Sequence, residues 1–197
     1  MSSRDIRICF VGDSFVNGTG DEEKLGWSGR LCALSQTDEI EITYYNLGIR
    51  RNTSEDIKER WERECELRLP NETENIVIFS FGVNDAVIEN NELRVSKERS
   101  IENSRQILVE ASKKYQVKMI GPPPIEDAVQ NKRIQHLDAA FNLLCDELSI
   151  PYLSVFEDLL VEPIWLKEVS SNDGAHPRAG GYSYLGHIVR SWKQWKF

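Results

Sequence analysis

Short apolar runs alternate with helix-like segments along the whole chain. The runs show little polar alternation, which is typical of strands covered on both faces of a parallel sheet. They occupy residues 6–11, 40–45, 76–81 and 117–120, and a weaker one begins at Pro151. The segments between them repeat apolar residues with a period near 3.6, which predicts helices. This order predicts an α/β protein, a three-layer α/β/α sandwich around a five-stranded parallel sheet.

Two local signals indicate where helices begin. Thr53 followed by Asp56 resembles a capping box, and it opens a segment whose apolar residues fall on one face. Pro177 stands where a proline at the first helical position would stand, ahead of the last periodic segment.

Composition narrows the class of protein. The 197 residues carry 24 Lys plus Arg against 32 Asp plus Glu, so the formal charge is 24 − 32 = −8. We expect one domain over residues 1–197, and no nucleic-acid partner, because a phosphate backbone would be repelled. No run approaches the ~18 apolar residues of a membrane span, and the N-terminal one is too short for a signal peptide, so we expect a cytoplasmic protein. The cysteines have no metal-ligand spacing.

Polar, glycine-bearing loops follow the first three predicted strands. They read Gly12-Asp13-Ser14-Phe15, Asn46-Leu47-Gly48 and Gly82-Val83-Asn84-Asp85. Since the carboxyl ends of parallel strands share one edge of the sheet, these loops should converge there. Any one of them could be explained by turn chemistry, but the three together indicate a site.

Ser14 is the candidate nucleophile, because a hydroxyl at a strand-to-helix turn can stand exposed. A serine in this context is also typical of a helix cap. Asp173-Gly174-Ala175-His176-Pro177 offers a base, with His176 taking the serine proton and Asp173 orienting the imidazole. A developing oxyanion also needs donors, and we expect the backbone N–H groups of Ser14 and Gly48 and the side-chain amide of Asn84 to supply them.

In this order along the chain, the three polar loops and the segment from Asp173 to Pro177 resemble the four sequence blocks of the SGNH hydrolases, also called the GDSL-like lipase and acylhydrolase family. The resemblance covers nearly the whole chain. It implies a flavodoxin-like sandwich and a serine esterase that needs no metal or cofactor. Ser14, His176 and Asp173 would be its catalytic residues, with Ser14, Gly48 and Asn84 as oxyanion donors. The substrate would be a small-molecule acyl ester, either a carboxylester, a thioester or an O-acetyl group.

The sequence departs from the family at two places. Phe15 stands where the family name has leucine, and Arg51 stands where relatives often carry a second glycine. Arg50 and Arg51 form either a solvated basic turn or a binding site for an anionic group of the substrate. Trp27 is a further candidate for substrate contact, although an aromatic residue near a strand end is also typical of a core.

Two other classes of function stay open at this stage. The loop from Ser14 to Gly20 could cradle a phosphate or a flavin in a flavodoxin-like binding protein. The chain could also be a catalytically silent interaction domain. Trp192 and Trp195, close to the C-terminus, are candidates for a self-association surface of a homo-oligomer.

Overall fold

A computed structural model describes residues 4–196, and it contains one five-stranded sheet with helices on both faces. The strands of this sheet are β1 (Arg4–Gly12), β2 (Ile40–Gly48), β3 (Glu74–Ser80), β6 (Gln116–Ile120) and β7 (Tyr152–Leu153), and β4 (Ile88–Glu89) and β5 (Glu92–Leu93) form a separate hairpin. The helices are α1 (Ser14–Asn17), α2 (Gly26–Ser35), α3 (Ser54–Glu66), α4 (Lys97–Ser112), α5 (Ala128–Glu147), α6 (Phe156–Leu160), α7 (Pro163–Ser171) and α8 (Ala179–Ser191), and a 3-10 turn follows at Lys193–Trp195.

The strand order in the sheet is β2-β1-β3-β6-β7, and every pair is parallel. The predicted α/β sandwich is therefore confirmed. The chain runs outward from β1 to β2 and then crosses back to β3, so helices cover both faces of the sheet when all crossovers are right-handed. Helices α3, α4 and α5 pack together, whereas α2 packs against α8. The prediction of one domain over 1–197 includes four terminal residues that lie outside the described range.

The point at which the strand order reverses lies beyond the carboxyl end of β1, where ligands commonly bind in such sheets. Gly12, the last residue of β1, is in register with Gly48 of β2 on one side and with Ser80 of β3 on the other. Asn46-Leu47-Gly48, predicted as a loop, is instead the end of β2, because these residues continue the parallel pairing with β1. The loops that follow β1, β2 and β3 therefore begin at the same level of the sheet.

The structure confirms one of the two predicted helix starts. Thr53 caps α3 in a complete capping box with Asp56. Pro177 is not the first helical residue, because Arg178 is still extended and α8 begins at Ala179. Glu168 of α7 explains the later start, since its Oε2 atom accepts hydrogen bonds from the N–H groups of Arg178 at 2.9 Å and Gly181 at 2.7 Å.

Within residues 4–196, no helix combines the length and the apolar character that a membrane span requires.

Candidate active site

Ser14 is the first residue of α1, immediately beyond the turn that leaves β1. The Asp13 carboxylate caps this short helix by accepting a hydrogen bond from the Phe15 N–H at 2.9 Å. Ser14 itself is 5% exposed. The local sequence thus fixes the serine on a capped turn at the carboxyl end of β1.

His176 lies against Ser14. Its Nε2 atom is 2.7 Å from the Ser14 Oγ, and its Nδ1 atom is 2.7 Å from Oδ2 of Asp173. A carboxylate on Nδ1 favours the tautomer with the proton on Nδ1, which leaves Nε2 free to accept the serine proton. The structure therefore brings the three residues together in the order that nucleophilic catalysis requires.

The second oxygen of Asp173 secures the loop that carries the histidine. Oδ1 accepts hydrogen bonds from the backbone N–H groups of Ala175 at 3.0 Å and His176 at 2.8 Å. Desolvation raises the pKa of Asp173, but these hydrogen bonds and the one from the His176 ring outweigh it and hold the pKa below its usual value. Asp173 is therefore ionised near neutral pH.

Aromatic rings hold the imidazole from the side. The Phe15 ring lies 4.8 Å from the His176 ring between centroids, and it stacks on Trp165 at 6.3 Å. The Trp165 Nε1–H donates to the Pro124 carbonyl at 3.1 Å, which fixes the indole on the proline-rich loop after β6. Phe15, the departure from the family motif, thus packs against the candidate base.

The loop after α1 closes on the histidine from the other side. Gly20 has a φ of +92°, and a Cβ atom there would lie 2.5 Å from the Pro177 carbonyl oxygen and 3.2 Å from the His176 Cβ. A side chain at this position would push the loop away from the histidine. Gly20 is therefore required for the close approach of the two loops.

Asp13 and Asn84 lie side by side beneath the nucleophile. The Asn84 Nδ2 amide donates to the Asn52 carbonyl at 3.0 Å and to the Asp13 Oδ2 at 3.3 Å. The pKa of the buried Asp13 carboxyl is raised to about 7. Desolvation is the main cause and the charge of Asp85 adds to it, against the opposing hydrogen bonds from the Phe15 N–H and the Asn84 amide. The sequence analysis did not single out Asp13, and its only signal is its place between Gly12 and Ser14.

The two predicted backbone oxyanion donors differ in whether their N–H groups already have a hydrogen-bond acceptor. The Ser14 N–H has no acceptor among residues 4–196. The Gly48 N–H, by contrast, donates to the Asn46 Oδ1 at 3.0 Å. Gly48 is a glycine for a packing reason, because a Cβ atom there would lie 2.1 Å from the Asn17 nitrogen.

The Arg51 N–H is a donor that the sequence analysis missed. In the described part of the chain it has no acceptor, and the adjacent Asn52 carbonyl contacts Asn84. Arg51 has a φ of +68°, a left-handed conformation that favours glycine. The sequence held one signal for this donor, because relatives often carry a second glycine at this position. A glycine there points to a required backbone conformation and not to a role for the side chain.

The three candidate substrate contacts have different surroundings. The Arg51 guanidinium is 72% exposed and pairs with Glu89 of the β4–β5 hairpin. Arg50 lines a cavity beside α1. Trp27 was predicted wrongly as a substrate contact, because it is 1% exposed and packs edge-on against Phe10 in the core.

The loop that could have cradled a phosphate has used most of its amides. The N–H groups of Phe15 and Asn17 donate to the carboxylate and the carbonyl of Asp13, and those of Gly18 and Thr19 donate to the carbonyls of Phe15 and Ser14. A phosphate cradle needs such groups free and pointing at the ligand. Among residues 4–196, no three side chains of His, Cys, Asp or Glu are grouped as a metal site.

Comparisons with known proteins identify a family and a shared fold. The model of the GDSL-like lipase/acylhydrolase family matches residues 10–184. No curated protein is similar enough in sequence to count as a match.

Three solved structures share the fold. A lipase/acylhydrolase from Enterococcus faecalis has 24% identity over 93% of both chains, with a TM-score of 0.75. A member of the lipolytic protein G-D-S-L family from Veillonella parvula has 16% identity over 98% of this chain and 100% of its own, with a TM-score of 0.75. An acetylxylan esterase from Geobacillus stearothermophilus has 18% identity over 95% and 94%, with a TM-score of 0.76.

Proposed function

Because the chain belongs to the GDSL-like lipase/acylhydrolase family and is therefore a serine hydrolase of ester bonds, we propose that Ser14, His176 and Asp173 are its catalytic triad. The observation that carries this proposal is the continuous chain of two 2.7 Å contacts from the Ser14 Oγ through the imidazole to Asp173. The substrate is a small or medium acyl ester.

In the first half of the reaction, His176 Nε2 takes the proton of Ser14 as Oγ attacks the carbonyl carbon of the ester. The tetrahedral intermediate collapses, and His176 returns that proton to the leaving alcohol or thiol. In the second half a water molecule, deprotonated by the same nitrogen, attacks the carbonyl carbon of the acyl-enzyme. The bond to Oγ then breaks, His176 returns the proton to Ser14, and the acid is released. Asp173 stabilises the imidazolium that forms twice in this cycle.

The oxyanion is held by the Ser14 N–H and by the Asn84 amide, which exchanges its longer bond, the 3.3 Å contact with Asp13, for the oxyanion. The third donor lies in the loop after β2. Gly48 can supply it only by releasing Asn46, whereas the Arg51 N–H needs no such exchange. We therefore include Arg51 beside Gly48 as a backbone donor.

A fluorophosphonate probe tests the triad directly, because it phosphonylates only an activated serine. We expect one probe molecule per native chain, located on Ser14 by peptide mass spectrometry, and none on Ser14→Ala or on heat-denatured protein. Ester hydrolysis that persists in Ser14→Ala would contradict the proposal.

An ester panel tests the substrate class. One fold neighbour is an acetylxylan esterase, so O-acetyl sugars belong in the panel beside carboxylesters and thioesters of increasing acyl length. We expect the highest kcat/KM at short or medium length. The cytoplasmic location and the absence of nucleic-acid binding stay predictions. Trp195 does not belong to a self-association surface, because it is 3% exposed and its ring lies 6.4 Å from that of Phe10 in the core. Trp192 is half-buried, and self-association through it stays a prediction.

A further inference from the structure

We propose that Lys24 and Arg50 bind an anionic group, a carboxylate or a phosphate, that the ester substrate carries. This inference rests on the proposed function and names the class of ester. It starts from a cavity of about 320 Å³ on the carboxyl side of the sheet, which is lined by Asn17, Gly18, Thr19, Gly20, Lys24 and Arg50.

The cavity adjoins the nucleophile. Asn17 ends the short helix that Ser14 begins, three residues or about 4.5 Å along the helix axis. The Thr19 N–H donates to the Ser14 carbonyl at 3.0 Å. Gly20, on the same wall, lies against His176 and Pro177. A substituent a few bonds away from the reacting carbonyl can therefore reach the cavity.

Neither cation is neutralised by the protein. Among residues 4–196, no carboxylate forms an ion pair with Lys24 or Arg50. The acidic residues that precede Lys24 have other partners, because Asp21 and Glu23 both bind Arg30. Because the chain has a net charge of −8, two cations without a carboxylate partner at one cavity indicate a site for an anion.

The Glu22 carboxylate is also engaged, since it accepts a hydrogen bond from the Ala179 N–H at 3.3 Å. The neighbouring Arg51 is directed away to Glu89. Of the two consecutive arginines, only Arg50 lines the cavity.

The buried Asp21 carboxylate holds the loop that carries Lys24 in place. Asp21 is fully buried and accepts hydrogen bonds from the N–H groups of Glu23, Leu25 and Gly26 at 2.7–3.1 Å, as well as from the Arg30 guanidinium. Lys24, in the middle of this loop, has a φ of +61°. This left-handed conformation is strained for a residue other than glycine, and such strain is often kept where a side chain has a task.

The chemistry of the lining fits an anion. Arg50 offers a planar fork of donors, Lys24 a mobile point charge, and Asn17 and Thr19 are neutral polar side chains beside them. A neutral ester gains nothing from these cations, whereas an anionic one gains charge-assisted hydrogen bonds.

The test compares anionic and neutral esters on the double variant Lys24→Gln/Arg50→Gln. The neutral substrates are 4-nitrophenyl acetate and phenyl acetate. Mono-4-nitrophenyl succinate carries the anion on the acyl side, and 4-(phosphonooxy)phenyl acetate carries it on the alcohol side. We expect kcat/KM for at least one anionic ester to fall about 10- to 100-fold, mostly through KM, while the neutral esters change less than twofold. The anionic ester whose kcat/KM falls shows whether the acyl side or the alcohol side of the substrate carries the anion.

Lys113→Gln/Lys114→Gln is the matched control. It also removes two positive charges, but from residues just before the amino end of β6, at the opposite edge of the sheet from the site. An equal fall for anionic esters in this control would assign the effect to net charge and overturn the inference. Equal changes for neutral and anionic esters in Lys24→Gln/Arg50→Gln would overturn it as well.

Failure of the anion site and failure of the proposed function give different results. If neutral esters are hydrolysed and Ser14 is labelled, but the double variant leaves the anionic-to-neutral ratio unchanged, only the anion site is wrong. If no ester is hydrolysed and Ser14 is not labelled, the proposed function is wrong, and this inference falls with it.

Discussion

The Oγ atom of Ser14 lies 2.7 Å from the Nε2 atom of His176, although 162 residues separate the two along the chain. The serine follows β1, the first strand of the chain, and the histidine precedes the last helix. Their contact depends on the packing of α2 against α8 and on the close approach of Gly20 to Pro177. A hydroxyl and an imidazole at this distance can exchange a proton without any movement of the backbone.

Loss of either member of this pair should abolish catalysis without unfolding the protein. Ser14→Ala and His176→Ala should each lower kcat for 4-nitrophenyl acetate by about 10⁴-fold or more, because the attacking oxygen or its base is missing. Steady-state kinetics and thermal unfolding measured side by side check this. His187→Ala, which removes an exposed histidine of α8, is the control and should keep full activity.

Asn84→Ala should lower kcat by about 10²–10³-fold with little change in KM, since an oxyanion donor acts mainly in the transition state. Asn142→Ala, an exposed position on α5, is the matched control. A rise in KM at constant kcat would mean that Asn84 binds the ground state instead, and it would remove Asn84 from the oxyanion hole.

Asp13 should make the stability of the protein depend on pH. Its pKa is about 7 in the folded protein against an ordinary value of 3.8, chiefly because of burial. Between these values the folded state holds a proton that the unfolded chain has released. The contribution of Asp13 to the free energy of unfolding therefore falls as the pH rises from about 4 to about 7.

Urea unfolding of the wild type and Asp13→Asn across this range measures the effect. The variant cannot titrate, so the difference in unfolding free energy, variant minus wild type, should grow with pH by an amount of the order of a few kcal/mol. Asp5→Asn, an exposed position on β1, should parallel the wild type. Parallel curves for Asp13→Asn and the wild type would show that Asp13 does not titrate in this range.

Asp21→Ala should destabilise the protein strongly. The change leaves the Arg30 guanidinium, whose side chain is 10% exposed, without its buried partner and strips three backbone N–H groups of their acceptor. We expect a loss of about 3–5 kcal/mol in the free energy of unfolding, measured by urea denaturation. Glu23→Ala is the control, because Glu23 also pairs with Arg30 but is 59% exposed, and it should cost less than about 1 kcal/mol. Similar losses for both would show that the buried geometry of Asp21 carries no special weight.

The strands and helices could be predicted from the sequence, because the spacing of apolar residues in each element follows from which of its faces are buried. The run at 6–11 is apolar since both faces of β1 are covered, and the capping box of Thr53 and Asp56 is complete within four residues. The start of α8 could not be read in this way. It depends on Glu168 of another helix, which accepts hydrogen bonds from the N–H groups of Arg178 and Gly181.

The sequence by itself determined the parallel sheet, the edge at which its polar loops meet, and the residue types of a hydroxyl, a base and its carboxylate. Only the tertiary structure decided how neighbouring residues differ: Arg50 lines a cavity while Arg51 turns to Glu89, and the Gly48 N–H is held by Asn46. It also decided that Trp27 belongs to the core. Periodicity and motifs record which element a residue belongs to. The direction of a side chain and the partner of an N–H group depend on atoms from distant parts of the chain, which meet only after the elements have packed.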